Sequence, residues 1–441
     1  MNRAFDGMKG YWKKLLIVLF LLFCASGGTA SAAETEGTGV ESAAVTEEAD
    51  LPSPMKKVRL TWQASPRAVF YQVVLLKDAR DAEDNIAWVQ EKIFTNGVEI
   101  DLTPFGDGKK NLYWKVCPLN FDGRPLEHFS EPKSILETGE FDTVSPLPTT
   151  EFDKMAEAPL YPVYSWIPML GAEHHEVEVY RRRGGKDILI RRLAGGKYDV
   201  YENGGYTYPD EYCWRVRSVA EDGAPMGDWS EKVLFRVSPG ATVAALGDSV
   251  THGGGAFSVP PGYVLYNWDT YCAVPVKNLG RSGDTTEQML DRFERDVLPF
   301  HPKILVIMGG VNDFRGVTDG WTIVRHLEAI GEKCEAHGIL PVFATVTPIN
   351  PKIIALRGME GVPGEDWLDR QRYVNRWVMS QKYAVDVSGE LTDADGNLKV
   401  GYSTDGIHPD FIAKKHIGET IGAYLLKQFP ELLAGEGTAE K

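Results

Sequence analysis

The rhythm of apolar and polar positions along this 441-residue chain changes once, near residue 240. Before that point the apolar runs are short and step by two. Tyr71, Val73 and Leu75 fall two apart, as do Val177 and Val179. This is the period of a strand with one buried face. Beyond residue 240, apolar runs at 242–246, 274–278, 304–308, 341–345 and 384–387 predict buried strands. Helical periods separate them. Met289, Leu290, Phe293 and Val297 share one helix face, and Ile323, Leu327, Ile330 and Cys334 share another. Residues 367–379 and 411–426 predict two further helices. Strand–helix alternation builds a parallel sheet covered on both faces. The expected fold is two all-β modules followed by an α/β domain of three layers.

The all-β half repeats itself. Tyr113-Trp114-Lys115-Val116 returns as Cys213-Trp214-Arg215-Val216, Asp122-Gly123-Arg124-Pro125 as Asp222-Gly223-Ala224-Pro225, and Phe129-Ser130-Glu131 as Trp229-Ser230-Glu231. Each pair is offset by 100 residues, while Trp62 and Tyr71 answer to Trp166 and His175 at 104. Two modules of one architecture follow, 55–148 and 149–238. Asp-Gly-x-Pro makes a turn after a Trp-bearing strand, and the pattern resembles fibronectin type III β-sandwiches. Trp62, Trp114, Trp166 and Trp214 are expected in the cores. His174-His175 lies in a strand-like run and reads as surface or packing, not a metal ligand.

The ends and the composition bound the setting. Arg3, Lys9, Lys13 and Lys14 precede an apolar run from Leu15 to Phe23, then small residues to Ala33. Residues 1–33 therefore read as an export signal, too short in its apolar part for a membrane span. Cys24 offers a lipid-anchor site, but Phe23 is bulky where a small residue is expected; direct secretion is the expectation, with surface anchoring the alternative. An acidic spacer covers 34–54 and a flexible tail 433–441. Net charge is −15, and removing the +3 of residues 1–33 leaves about −18. That balance argues against nucleic acid as a partner. Cys117, Cys213, Cys272 and Cys334 are scattered, so no disulfide framework is expected; a Cys272–Cys334 bond stays open.

Four islands after residue 240 carry chemistry. Gly247-Asp248-Ser249 leaves the first predicted strand. Asn278-Leu279-Gly280-Arg281-Ser282-Gly283-Asp284 leaves the second, Gly309-Gly310-Val311-Asn312-Asp313 the third, and Asp405-Gly406-Ile407-His408-Pro409 precedes the last helix. A serine on a tight turn after a buried strand sits at the sheet edge where α/β proteins place reactive groups. A histidine and a carboxylate complete a nucleophilic hydrolase, and glycine or asparagine N–H groups can hold an oxyanion. In kind and order these islands resemble those of the SGNH (GDSL-type) hydrolases over residues 239–432.

The resemblance implies a flavodoxin-like three-layer domain and a carboxylic-ester hydrolase needing no metal or cofactor. It implies Ser249 as nucleophile, His408 as base and then acid, and Asp405 as its orienting partner. Oxyanion donors would be the Ser249 and Gly283 N–H groups, with Gly280 the alternative glycine, and the Asn312 side chain. His252, Trp268, Phe314 and Arg315 lie near the islands in sequence and are candidate substrate contacts. Segment 351–370 is a candidate rim, and Asp393 to Asn397 reads as a hairpin turn. The expected substrate is acylated, most simply an O-acetylated extracellular carbohydrate, with the β-modules as possible glycan or cell-surface contacts. A lipase for longer acyl chains and an adhesion protein with an inert hydrolase domain are the alternatives. Residues 239–441 are expected to fold alone.

Overall fold

The computed structural model describes residues 54–255 and 259–434. The predicted export signal, Cys24, nearly all of the acidic spacer and most of the predicted tail lie outside the described residues. Among these residues no helix is long and apolar enough to cross a membrane.

The first β-rich part is built from β1 (Lys57–Thr61), β2 (Phe70–Leu76), β3 (Ile86–Ile93), β4 (Gly97–Asp101), β5 (Tyr113–Leu119), β6 (Lys133–Ser134) and β7 (Glu140–Phe141). They form a three-stranded sheet, β4-β1-β7, and a four-stranded sheet, β3-β2-β5-β6. Val58, Leu60 and Ile100 from the first sheet share one core with Val73, Leu75 and Trp114 from the second. The second part repeats this with β8 (Leu147–Pro148), β9 (Val163–Ile167), β10 (His174–Arg183), β11 (Lys186–Gly195), β12 (Asp199–Tyr201), β13 (Asp210–Val219) and β14 (Val233–Val237). Its sheets are β12-β9-β8 and β11-β10-β13-β14.

The sequence repeat is a repeat of register. Tyr71 lies opposite Pro118, and His175 opposite Ser218, so both offsets are kept across the strand pair. The recurring serine makes the same bond in both parts. Ser130 Oγ accepts from Val116 N–H at 3.1 Å and Ser230 Oγ from Val216 N–H at 3.0 Å. Gly123 and Gly223 turn the chain at φ +75° and +83°, a conformation that L side chains resist. Trp114, Trp166 and Trp214 are core residues as expected. Trp62 is not: it is half-buried at the core edge, its ring 5.2 Å from Tyr71 edge-on. His175 is buried by packing, bonding Gly196 O and Ser218 Oγ.

The α/β domain carries one parallel sheet of β15 (Val243–Gly247), β16 (Lys277–Gly280), β17 (Ile304–Met308), β18 (Leu340–Ala344) and β19 (Ala384–Val385), in the order β16-β15-β17-β18-β19. The order reverses beside β15, and such a switch point opens a crevice at the carboxyl ends of the strands. Two expectations move. The second strand starts at Lys277, not 274, because Pro275 has no N–H for the ladder and the register pairs Lys277 with Ala244. The helix carrying Met289 to Val297 is broken into Thr286–Asp291 and Phe293–Asp296 at Arg292. Helices Gly320–Ala336, Trp367–Met379 and Phe411–Gln428 form as predicted. The Asp393 to Asn397 hairpin turn also forms, with Asp393 N–H on Asn397 O at 2.8 Å. All four described cysteines are free and buried, so Cys272 and Cys334 form no bond.

The boundary near residue 239 does not divide the core. A single apolar cluster runs from Tyr164, Trp166 and Trp214 into Leu246, Val306 and Ile417. Leu160 N–H extends the sheet edge by bonding Asn278 O at 2.9 Å, and Tyr161 Oη donates to Asp296 at 2.5 Å. The expectation that 239–441 folds alone is therefore revised. A chain beginning at residue 239 should be insoluble or melt well below one beginning at 149. Equal melting temperatures would show that the shared core contributes nothing.

Candidate active site

The turn after β15 is built by its own residues. Asp248 caps the one-turn helix Ser249–His252, its Oδ1 accepting Val250 N–H at 2.9 Å. Asp248 thereby orders the turn on which Ser249 stands. Gly247 leaves no room for a side chain, since a Cβ there would lie 2.5 Å from Met308 O.

His408 comes to Ser249 from the far end of the domain. Its Nε2 lies 3.1 Å from Ser249 Oγ and its Nδ1 2.7 Å from Asp405 Oδ2. A carboxylate can only accept, so Nδ1 carries the proton and Nε2 faces the serine with its lone pair. Asp405 is held in turn: its Oδ1 accepts from Ile407 N–H and His408 N–H at 2.8 Å each and from Ser403 Oγ at 3.1 Å. Burial opposes the charge on Asp405, yet the adjacent His408 and these N–H groups hold its pKa below the ordinary carboxylate value. Gly406, at φ +82°, makes the turn beneath them; a Cβ there would meet Asn350 O at 2.6 Å.

The structure separates the two candidate glycines. Gly280 N–H is taken by Asn278 Oδ1 at 2.9 Å, while Gly283 is exposed in a left-handed turn at φ +87°. Asn312 stands on the short helix Val311–Arg315 after β17, and its Nδ2 donates to Asp284 O at 2.9 Å. That bond brings the second and third islands together.

Three of the four candidate substrate contacts are corrected. Trp268 and Phe314 are fully buried in the core. His252 is buried with both ring nitrogens engaged. Ser282 N–H donates to Nδ1 at 3.2 Å, so the proton is on Nε2, which donates to Tyr161 O at 2.6 Å. Burial pushes its pKa down to about 4, leaving it neutral near pH 7. His252 bolts the second β-rich part to the serine turn. Arg315 is part-buried and bonds Glu360 O and Gly361 O, which ties the Val311–Arg315 helix to segment 351–370.

Sequence reasoning missed two buried cations. Arg292 donates to Gly247 O at 2.9 Å and Leu279 O at 2.7 Å while bonding Asp284 and Asp296. It therefore closes the carboxyl ends of β15 and β16. Lys414 is fully buried, and its Nζ donates to Val250 O at 2.5 Å, one residue past the serine. The signal for it was present: Lys414 lies 3, 7 and 11 residues before Ile417, Ile421 and Leu425, on the apolar helix face.

A model of the GDSL-like lipase/acylhydrolase family matches residues 245–410. A Bacillus subtilis protein described as an uncharacterized lipoprotein, YqeF, is 39% identical over 80 residues, which is 17% of this chain and 33% of that protein. The chain thus spans about a third of that relative's length. Solved structures similar over 42% of this chain include three enzymes. One is the lipase/acylhydrolase of Enterococcus faecalis (20% identity, 94% of that chain, TM-score 0.35). Another is a GDSL-like lipase of Bacteroides thetaiotaomicron (20%, 87%, 0.34). The third is an acetyl xylan esterase of Geobacillus stearothermophilus (16%, 93%, 0.31).

Burial pulls Lys414 from 10.5 down to about 7, with Asp248 and Asp269 pulling the other way. The unfolded chain binds this proton below 10.5 and the folded chain does not until about 7, so wild type loses stability as pH falls across that window. Lys414→Met should gain on wild type by about 1.4 kcal/mol per pH unit between those limits. Urea midpoints at pH 7 and pH 10 measure it, and a difference independent of pH would mean that Lys414 stays charged inside the fold.

Proposed function

We propose that the GDSL-like lipase/acylhydrolase domain in the C-terminal part of this chain hydrolyses carboxylic esters through an acyl-enzyme. One observation carries the reading: His408 bridges Ser249 and Asp405 at 3.1 and 2.7 Å in the tautomer a general base needs.

His408 Nε2 takes the Ser249 proton as Oγ attacks the ester carbonyl. The tetrahedral oxyanion is held by the Ser249 and Gly283 N–H groups and Asn312 Nδ2, set at the switch point of the sheet. The proton on Nε2 passes to the leaving alcohol. Water, deprotonated by the same nitrogen, then releases the acid. Asp405 remains ionised throughout and stabilises the imidazolium, and its lowered pKa suits that part. Lys414 and Arg292 act through the backbone of the serine turn and not on the substrate.

The substrate class is read as O-acetylated carbohydrate outside the cell. The apolar run of residues 15–23 supports export, and a relative described as a lipoprotein is compatible with it. Burial of Trp268 and Phe314 removes two of the apolar surfaces a long acyl chain would need beside Ser249. We read the paired three- and four-stranded sheets as fibronectin type III-like sandwiches that present the catalytic domain to a polymer.

Ser249→Ala should lower turnover about a thousandfold or more with an unchanged circular dichroism spectrum. Acetate release from acetylated polysaccharides, compared with acyl esters of increasing length, decides the class. Turnover confined to long acyl esters would replace the carbohydrate reading with a lipase. Asn312→Ala should cost roughly a hundredfold in kcat, and an unchanged rate would remove it from the oxyanion site.

A further inference from the structure

A second concavity is lined by none of the catalytic residues and has no part in the chemistry above. It is a cleft of about 960 Å³ where residues 61–68 of the first β-rich part, 147–154 of the second and 259–266 of the α/β domain meet. Clefts of this size between structural units are where proteins hold small ligands.

Its lining selects the chemistry of an occupant. Half-buried rings of Trp62, Phe94 and Tyr263 line it. Each ring is fixed by a neighbour: Trp62 edge-on to Tyr71, Phe94 edge-on to Phe70 at 5.5 Å, and Tyr263 through its hydroxyl on Thr149 Oγ1 at 3.3 Å. Fixed rings lose little entropy when they bind. The same wall carries the amides of Gln63 and Asn96 and the hydroxyls of Ser65 and Thr149. Charge in the wall is balanced, Lys133 and Lys154 against Glu151 and Asp153. An anion would call for an excess of cations, and an alkyl chain for a wall without hydroxyls and amides. Flat apolar faces interleaved with neutral hydrogen-bonding groups match a pyranose ring, with its C–H face and its rim of hydroxyls.

The cleft is joined to the catalytic pair. Tyr266 lines it and packs its ring 6.2 Å from Phe411, three residues after His408. Arg67, on the same loop as Trp62, stands 5.9 Å from the Phe411 ring centre. On the other side, Asp122 of the first β-rich part pairs at 2.8 Å with Arg357, which also bonds Thr404 O next to Asp405. The first β-rich part is thus anchored on both sides of the His408 loop.

We propose that this cleft is a glycan subsite. It holds a neutral stretch of the polymer whose ester Ser249 cleaves, so the first β-rich part is a component of the substrate site and not a spacer. This rests on the carbohydrate-ester reading above. The test is binding to the full chain carrying Ser249→Ala, titrated with xylo-, manno-, cello- and N-acetylglucosamine hexasaccharides by calorimetry and tryptophan fluorescence. At least one should bind with a Kd of about 1 mM or tighter. Trp62→Ala should weaken that binding about tenfold or more. Ala64→Trp, at an exposed position in the cleft wall, should fill it and abolish binding while leaving the Trp62 packing in place. Tyr208→Ala, an exposed aromatic of the second part outside the cleft, should leave Kd unchanged. No binding of any hexasaccharide up to about 10 mM, or binding indifferent to both cleft variants, overturns the subsite. If wild type hydrolyses no ester but the cleft variants abolish binding, the subsite stands and the esterase reading falls. If esters are cleaved and nothing binds, the reverse holds.

Discussion

The carboxyl end of β15 must bring Ser249, itself buried, up to His408 while everything beneath it stays dry. Gly247 O and Leu279 O end their strands inside the protein, and a buried carbonyl without a partner is costly. Arg292 supplies donors to both and is itself neutralised by Asp284 and Asp296. Lys414 does the same for Val250 O on the next turn. Ser249 is therefore positioned from below by two long basic side chains, Arg292 on strand-end carbonyls and carboxylates and Lys414 on Val250 O. Arg292 stands at the break between the helices Thr286–Asp291 and Phe293–Asp296, with its guanidinium turned inward between two strand ends.

In the same dry surroundings the charge state of a buried carboxylate is set by the charges and donors placed against it. Asp248 receives one N–H and leaves Oδ2 without a partner, and burial pushes it up to about 6. Asp269 receives Asn278 Nδ2 and also rises to about 6. Asp405, just as buried, receives two backbone N–H groups, a hydroxyl and His408, and is pulled below the ordinary value. Desolvation is common to all three; Asp405 is lowered first by the charge of the adjacent His408 and then by the bonds from His408 and Ile407 N–H. The carboxylate that must stay ionised for His408 to serve as a base is the one so supplied.

The β-rich parts are joined to this site by chemistry rather than by a linker. Tyr161 offers its carbonyl to His252 and its hydroxyl to Asp296, reaching both the serine turn and the Arg292 network. The first part reaches the His408 loop through Arg67 and Asp122. The contacts of the second part end on the serine turn itself, and those of the first part on the chain flanking Asp405 and His408.

Local patterns determined much of this. Buried parallel strands announce themselves as continuous apolar runs, so four of the five catalytic-domain strands and the three long helices were legible within a few residues. Repeated register in the β-rich half was legible because each motif binds locally, Ser130 to Val116 and Ser230 to Val216. Ser249, His408 and Asp405 were legible because each sits in a turn whose glycines and prolines mark it. What the tertiary structure alone decided depends on partners remote in sequence. Trp268 and Phe314 look like substrate contacts beside the islands, yet packing from other elements buries them. His252 looks like a substrate contact beside Ser249 until Tyr161 O, 91 residues earlier, accepts a hydrogen bond from its Nε2–H. Gly280 and Gly283 are told apart by the fold: Gly280 is buried at a strand end with its N–H claimed by Asn278, and Gly283 is exposed in a left-handed turn. Lys414 carried a periodic signal, but its bond to Val250 O exists only once the last helix lies against the serine turn. Hydrophobic period is a property of adjacent residues; the satisfaction of a buried polar group is a property of whatever the fold places against it.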